Sequence, residues 1–192
     1  NEIVDNIRQD AFFFGCDGGV TLSGGEPFAQ PDALLALLIR FKAEGWHTCV
    51  ETSGYTESIN IHAVIPYTNL FLYDCKETDD ERHRMYTGVG REQILDNLRI
   101  LDKAEAHVIL RCPLVGGIND RNEHYEAVTR LANTYRCIEA VELQPYHPLG
   151  IAKGRQIGRP CVYGETKFFS KLKMNDIILT MQRLTDKPVR LS

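Results

Sequence analysis

The stretch Val20-Thr21-Leu22-Ser23-Gly24-Gly25-Glu26-Pro27 joins an apolar run to two glycines and one carboxylate. A short apolar run bounded by glycines predicts a buried strand, and the glycines at its end leave backbone groups bare of side chains. Bare backbone groups beside one carboxylate suit a small polar ligand. A Gly-Gly pair after a strand is also typical of an ordinary turn, so the choice depends on the rest of the chain.

Strand-like and helix-like patterns alternate along the sequence. The predicted strands cover residues 19–22, 47–50, 70–73, 108–110, 140–143 and 189–191. Between them, apolar residues at helical spacing predict helices that begin at Pro31 and that cover residues 91–104, 123–133 and 167–184. Repeated βα units of this kind predict an α/β protein with a parallel sheet, in a single domain over residues 1–192.

Polar residues follow the first five predicted strands, at the point where each strand ends. The sets are Ser23-Gly24-Gly25-Glu26, Glu51-Thr52-Ser53-Gly54, Asp74-Cys75-Lys76, Arg111-Cys112-Pro113 and Gln144-Pro145-Tyr146-His147. In parallel α/β folds the ligand site lies at the carboxyl ends of the strands, so these sets should converge in space. Each set alone is compatible with a loop that satisfies its own polar groups, but together they predict a binding site.

The chemistry of these sets indicates a zwitterionic, hydroxylated ligand. Glu26 and the flanking backbone carbonyls can accept from an ammonium group, and Lys76 or Arg111 can pair with a carboxylate. Asp74 or Glu51 can accept from the vicinal hydroxyls of a ribose. An amino acid joined to a nucleoside fits all three.

Two of these residues have simpler interpretations. Lys76 can form an ion pair with Asp74 or Glu77 at the rim, and His147, which lies close to two prolines, can be a loop histidine that bonds to backbone.

Composition and charge exclude several other classes of function. The chain has 192 residues, 43% hydrophobic content and a net charge of −4, without the run of Lys or Arg that nucleic-acid or membrane binding requires. No apolar stretch approaches the roughly 18 residues of a membrane span, and the first residues do not form a secretion signal. We expect a cytoplasmic protein that binds a small molecule or a protein, and neither nucleic acid nor a membrane.

The cysteines are spaced too widely to form a zinc or iron–sulfur ligand pair. Six are present, at Cys16, Cys49, Cys75, Cys112, Cys137 and Cys161. Four of them, from Cys49 to Cys137, lie in or beside apolar runs, which predicts reduced cysteines that act as small core residues. We assign none of them a catalytic or metal-binding role.

The motifs Ser-Gly-Gly-Glu-Pro, Glu-Thr-Ser-Gly-Tyr, Tyr-Asp-Cys-Lys and Pro-Tyr-His-Pro-Leu-Gly, in this order, resemble those of the radical S-adenosylmethionine activating enzymes of glycyl radical enzymes. The resemblance runs from about Gly18 to the C-terminus, and it is strongest to the members that activate pyruvate formate-lyase. It implies a partial (β/α)6 barrel of the TIM type, open on one side, that holds S-adenosylmethionine at the carboxyl ends of its strands. It also implies a glycyl radical enzyme as partner and a small redox protein as electron donor.

The resemblance implies a role for each motif. Ser23-Gly24-Gly25-Glu26 matches the motif that holds the methionine ammonium group, while Asp74, Lys76 and His147 match contacts to the methionine carboxylate and the ribose. Glu51, Thr52 and Asp74 match positions that surround a monovalent cation in some relatives, although Glu replaces the commoner Asp at position 51. Arg111 matches an arginine at the end of a barrel strand that faces the cofactor or an incoming peptide. The expected cofactor-binding residues are Ser23, Gly24, Gly25, Glu26, Glu51, Thr52, Asp74, Lys76, Arg111 and His147.

The family chemistry also needs a Cys-x-x-x-Cys-x-x-Cys motif, which holds three irons of a 4Fe-4S cluster, and these residues contain no such triplet. In the family the reduced cluster passes an electron to the sulfonium, which splits into methionine and a 5′-deoxyadenosyl radical, and that radical takes hydrogen from a glycine of the partner. We therefore expect a fragment that lacks the cluster-binding segment and the first βα unit of the barrel, and that is inactive alone. An unpaired strand edge would remain, and edges of this kind invite self-association.

Two other classes of function stay open. A cluster-free TIM-barrel enzyme of the lyase or aldolase type would use a lysine inside a strand or a late Gly-rich phosphate loop. A non-catalytic module that binds a glycyl radical enzyme is the other alternative. Which glycyl radical enzyme is the partner is not encoded in any local motif.

Overall fold

The computed structural model describes residues 2–15, 18–146 and 169–192. Its strands are β1 (Gly19–Leu22), β2 (His47–Thr52), β3 (Leu70–Asp74), β4 (Val108–Leu114), β5 (Ile138–Pro145) and β6 (Val189–Leu191). Its helices are α1 (Glu2–Asp10), α2 (Pro31–Ala43), α3 (Ser58–Val64), α4 (Asp80–Thr87), α5 (Glu92–Lys103), α6 (Asn122–Thr134) and α7 (Lys171–Gln182). Short 3-10 helices lie at Ala11–Phe14, Pro27–Ala29 and Ile65–Tyr67.

The strands form one six-stranded sheet in the order β1-β2-β3-β4-β5-β6, with every neighbouring pair parallel. The α/β class and the open arrangement of the barrel are therefore confirmed, since β1 and β6 lie at opposite edges of the sheet within the described residues. The predicted first βα unit would precede the given sequence and stays a prediction.

The sheet has one buried and one half-buried face. Along β4, Leu110, Cys112 and Leu114 are buried and alternate with half-buried residues, as the two-residue period of a strand requires. The buried face forms one core with helix residues such as Leu98 and Val128. The half-buried face carries charged strand residues such as Glu51, Asp74, Arg111 and Glu142.

Four predicted helices are present, but some boundaries differ. The last helix begins at Lys171 instead of residue 167, because Ser170 caps it by accepting a hydrogen bond from the Lys173 N–H at 3.1 Å. Residue 167 lies outside the described residues. The sequence patterns missed α3 and α4. Helix α4 is strongly polar and buries only His83, so it lacks an apolar stripe.

Four strands extend further than their apolar runs, among them β3, which ends at Asp74, and β5, which covers Ile138–Pro145. Strand β2 continues to Thr52 and β4 to Leu114, so Arg111 lies inside β4 and not in the loop that follows it. The buried cysteines at positions 49, 75, 112 and 137 are free and belong to the interior, which confirms the prediction of core cysteines. Cys16 and Cys161 lie outside the described residues. No helix among the described residues is long and apolar enough to cross a membrane.

Candidate functional site

A cavity of about 250 Å³ opens at the carboxyl ends of β2 and β3. Its lining consists of Glu26, Ser53, Tyr55, Asp74, Lys76, His83, Thr87, Val89 and Ile94. Carboxylates, three hydroxyl-bearing side chains and an ammonium group form part of the wall, and Val89 and Ile94 contribute apolar surface. Polar groups that converge on a concave surface at the strand ends are the expected arrangement for a ligand site in a parallel α/β fold.

Glu26 organises the loop that follows β2. One carboxylate oxygen, Oε1, accepts from the Thr52 hydroxyl at 2.7 Å and the Phe28 N–H at 3.3 Å. The other, Oε2, accepts from the Ser53 N–H at 2.9 Å and the Ser53 hydroxyl at 2.6 Å. A carboxylate has about four acceptor sites, so these donors engage the side chain fully.

The turn before Glu26 keeps its backbone acceptors open. Gly24 has φ of 126°, a conformation that L side chains rarely adopt. The carbonyls of Gly24 and Gly25 accept no hydrogen bond from any described residue. These two carbonyls, rather than the Glu26 carboxylate, are therefore the available acceptors of the Ser-Gly-Gly-Glu motif.

Close packing behind the cavity requires a glycine at position 54. Gly54 has φ of 74°, and a Cβ atom at this position would lie 1.9 Å from Tyr73 Oη. Tyr73 is itself buried, and its hydroxyl donates to the Ile94 carbonyl at 2.7 Å. The Gly54 carbonyl accepts from Asn97 Nδ2 at 2.9 Å. These contacts fix the loop that carries Ser53 and Tyr55.

Asp74 and Lys76 form an ion pair at the end of β3. Lys76 Nζ lies 3.2 Å from Asp74 Oδ2, and the side chains are 44% and 17% exposed, respectively. Burial raises the pKa of the Asp74 carboxyl, an effect that the Lys76 ammonium partly offsets. The ion-pair interpretation of Lys76 is therefore correct for the ligand-free chain, with Asp74 as the partner.

A second polar group lies beside the cavity on the half-buried face of the sheet. Arg111 Nη1 donates to Glu51 Oε1 at 2.5 Å, and the Ser23 hydroxyl donates to Glu51 Oε2 at 2.8 Å. With its amide oriented to accept, Gln144 takes a further hydrogen bond from Arg111 Nε at 2.9 Å. Glu51 and Arg111 thus neutralise each other next to the cavity instead of lining it.

Charges alternate along one row of this face. Asp74, Arg111, Glu142 and Arg190 are paired in register on β3 to β6, and Arg190 Nη2 lies 2.9 Å from Glu142 Oε1. Opposite charges on neighbouring strands stabilise the pairing of the strands, so the row accounts for charged residues within the strands.

The predicted site residues fall into three groups. Glu26, Asp74 and Lys76 line the cavity, and Thr52 is held against Glu26. Ser23, Glu51 and Arg111 form the adjoining group, while Gly24 and Gly25 make the turn between them. His147 lies outside the described residues.

Sequence reasoning missed several residues that line the cavity. His83, Thr87 and Val89 come from α4 and the loop after it, and Tyr55 follows β2. Tyr55 had a sequence signal, since it directly follows a predicted strand-end set and is the last residue of the Glu-Thr-Ser-Gly-Tyr motif. For the α4 residues no periodic pattern marks the helix.

The described residues do not offer a metal site. No group of three or more His, Cys, Asp or Glu side chains among them is arranged to hold a metal ion, and the four described cysteines are buried and well separated in sequence. The donor set therefore does not fit an iron–sulfur cluster.

The chain is similar to known proteins over most of its length. A family model described as the radical SAM superfamily matches residues 1–128. The chain is 40% identical over 169 residues to the isethionate sulfite-lyase activating enzyme of Nitratidesulfovibrio vulgaris, covering 86% of this chain and 54% of the relative. It is 35% identical over 147 residues to the pyruvate formate-lyase-activating enzyme of Clostridium pasteurianum, covering 77% of this chain and 61% of the relative.

A solved structure is similar in fold. A domain of pyruvate-formate lyase-activating enzyme from Bacteroides vulgatus superposes with a TM-score of 0.75 at 24% identity, covering 91% of this chain and 99% of that one. The chain spans about half the length of the curated relatives it matches. The expected resemblance to activating enzymes is confirmed.

Proposed function

The chain belongs to the radical SAM superfamily, and from that premise we propose that it supplies the S-adenosylmethionine-binding part of an activating enzyme for a glycyl radical enzyme. The observation that carries this proposal is the cavity at the strand ends, where the Asp74–Lys76 pair lies close to the loop that Glu26 organises. S-Adenosylmethionine has an ammonium group, a carboxylate and ribose hydroxyls. The residues at the strand ends offer each of these groups a partner of suitable charge or hydrogen-bonding type.

We assign the ligand groups to these residues by charge. The ammonium group of the ligand donates hydrogen bonds to the carbonyls of Gly24 and Gly25, which accept none from the described residues. The carboxylate of the ligand pairs with the Lys76 ammonium group, because the Lys76 side chain is 44% exposed and therefore reachable. Asp74 then accepts from the ribose hydroxyls, and Val89 and Ile94 provide apolar surface for the uncharged part of the ligand.

The three residues of the adjoining group, Ser23, Glu51 and Arg111, have a supporting role in this proposal. Arg111 and Glu51 hold each other at 2.5 Å, so the ligand meets a neutral pair and not two free charges. Ser23 and Thr52 keep Glu51 and Glu26 in place through their hydroxyls. We keep His147 as a further contact on the strength of the sequence resemblance alone.

When bound and given one electron by a reductant that the described residues do not hold, S-adenosylmethionine would split into methionine and the 5′-deoxyadenosyl radical by which enzymes of this family take hydrogen from a glycine. The described residues do not fit the 4Fe-4S cluster that the family uses, so we derive no step through it. Within the proposal, the chain binds and orients the cofactor in the cavity at the strand ends. A glycyl radical enzyme such as pyruvate formate-lyase as partner, a redox protein as electron donor and a cytoplasmic location stay predictions.

The remaining predictions have different degrees of support. One continuous sheet with one core supports a single domain over residues 1–192. The aldolase-type alternative loses support, since none of the six described strands contains a lysine. A non-catalytic module that binds the glycyl radical enzyme would not need the cofactor, so a binding measurement separates it from our proposal.

The test is calorimetric titration of the chain with S-adenosylmethionine. Replacing Lys76 with Ala removes the ammonium group that pairs with the ligand carboxylate, and a charged hydrogen bond of this kind is worth a loss of about tenfold or more in affinity. Lys103→Ala is the matched control, because Lys103 is an exposed lysine at the opposite end of the strands. Absence of binding by the unmodified chain, or an equal loss in both variants, contradicts the proposal.

A further inference from the structure

Glu77 directly follows Lys76 and is buried, although it carries a charge. Its side chain is 2% exposed. Oε1 accepts from the Thr78 N–H at 2.6 Å and the Asp79 N–H at 3.0 Å, and Oε2 accepts from Arg121 Nη1 at 2.8 Å. Arg121 Nη2 bonds to Oε1 as well, so the guanidinium holds the carboxylate with two parallel hydrogen bonds. A buried charge with this many donors is fixed in position.

Arg121 belongs to the loop between β4 and α6, whereas Glu77 belongs to the loop between β3 and α4. The ion pair therefore ties together two loops that follow neighbouring strands. Arg82 of α4 adds a second cation, with its Nε 3.2 Å from Glu77 Oε2. The Glu77 carboxylate is thus held by two guanidinium groups, that of Arg121 in the loop between β4 and α6 and that of Arg82 in α4.

Asn119 makes a second tie between the same two loops. Its Nδ2 donates to the Lys76 carbonyl at 2.8 Å and to the Pro113 carbonyl at 2.7 Å, and its Oδ1 accepts from the Val115 N–H at 2.8 Å. Asn119 is 3% exposed. All three hydrogen bonds of this side chain go to backbone groups, which makes it a bridge for the main chain at Lys76.

The main chain around Lys76 is consequently held on both sides. The Cys75 N–H donates to the Arg111 carbonyl at 2.7 Å, as the last hydrogen bond of the β3–β4 pairing. Beyond it, where β3 has left the sheet, Asn119 holds the Lys76 carbonyl and Arg121 holds the next side chain. A four-carbon side chain such as that of Lys76 has large rotational freedom, so a fixed backbone acts together with the ion pair to Asp74 in aiming its ammonium group.

We propose that Asn119 and the Glu77–Arg121 pair are positioning residues, which act through the Lys76 backbone to place its ammonium group at the cavity. This inference rests on the proposed function, because it assigns Lys76 to the carboxylate of S-adenosylmethionine. Neither Asn119 nor Arg121 lines the cavity, so their effect on the ligand is indirect.

A double-mutant cycle separates positioning from general stability. Asn119→Ala and Lys76→Ala are made singly and together, and S-adenosylmethionine binding is measured by calorimetry. Asn119→Ala weakens binding by about fivefold in the parent chain, within the range of measured pair couplings, and has no further effect once Lys76 is absent. Equal losses in both backgrounds overturn the inference, since a general structural defect does not depend on Lys76.

Hydrogen exchange tests the positioning without a ligand. In Asn119→Ala, the amides of Cys75, Thr78 and Asp79 exchange about tenfold faster, as expected when a local opening becomes easier. The control Asn69→Ala removes a side-chain acceptor of the Thr48 N–H at the opposite end of the sheet, and it leaves those amides unchanged. Unchanged exchange in Asn119→Ala overturns the inference. If the parent chain binds no S-adenosylmethionine, the proposed function fails, and exchange alone decides whether Asn119 holds the Lys76 segment.

Discussion

Replacing Gly54 with Ala should destabilise the chain strongly, because two separate constraints act at this position. The φ of 74° lies in the left-handed region, which costs an alanine about 1–2 kcal/mol. The new Cβ would also lie 1.9 Å from Tyr73 Oη and 2.1 Å from Tyr73 Cζ. Both distances are far shorter than a normal contact, so the loop or the ring must move.

The size of the effect follows from adding the two terms. Tyr73 is fully enclosed and its hydroxyl is held by the Ile94 carbonyl, so its ring has little room to shift. Overpacking at a buried site costs about 1–3 kcal/mol. Together with the backbone term, we expect Gly54→Ala to lower the free energy of unfolding by about 2–5 kcal/mol.

Urea unfolding followed by circular dichroism measures this change. Gly25→Ala is the matched control, because its Cβ would meet nothing within 4 Å and its φ is not in the left-handed region. A loss in Gly54→Ala within about 0.5 kcal/mol of that in Gly25→Ala would refute the packing argument.

Two further predictions concern the carboxylates. Glu26→Gln exchanges one acceptor oxygen for a donor that faces Ser53 and Thr52, so it should lower the free energy of unfolding by about 1–3 kcal/mol. The control Glu57→Gln changes an exposed residue and should alter the free energy of unfolding little. Similar urea midpoints for the two variants would contradict the Glu26 network. For Glu77, burial alone raises the pKa, but the His124 ring, Arg121 and the backbone N–H groups of Asp79 and Thr78 outweigh it and hold the pKa well below its ordinary value of 4.5. Because the carboxyl titrates lower in the folded chain, its contribution to stability is full above pH 4.5 and is lost as the pH falls below that value. Unfolding measured from pH 6 down to about 3 should show a shallower decline in Glu77→Gln than in the parent chain, and parallel declines would disprove the assignment.

Local sequence patterns were sufficient to predict the strands. They were also sufficient to predict that the site lies at the carboxyl ends of the strands. Alternation of apolar runs with helical patterns predicted all six strands, because strands and helices are set by short-range periodicity. The parallel arrangement then followed from the βα alternation, and it placed Glu26, Asp74 and Lys76 together at the carboxyl ends of the strands. The polar helix α4 escaped prediction because it packs only one residue, His83, into the interior.

Only the tertiary structure decided what those side chains do. Glu26 is 27 positions from Ser53, whose backbone and hydroxyl engage its carboxylate, and of its hydrogen bonds only the one from the Phe28 N–H is local in sequence. Asn119 and Lys76 are 43 positions apart, and the steric demand of Tyr73 on Gly54 arises from a neighbouring strand. The sequence determined which residue types lie at the strand ends, since that depends on local periodicity. The tertiary structure decided which of them are free to bind a ligand, since hydrogen-bond partners and steric contacts come from segments that only folding brings together.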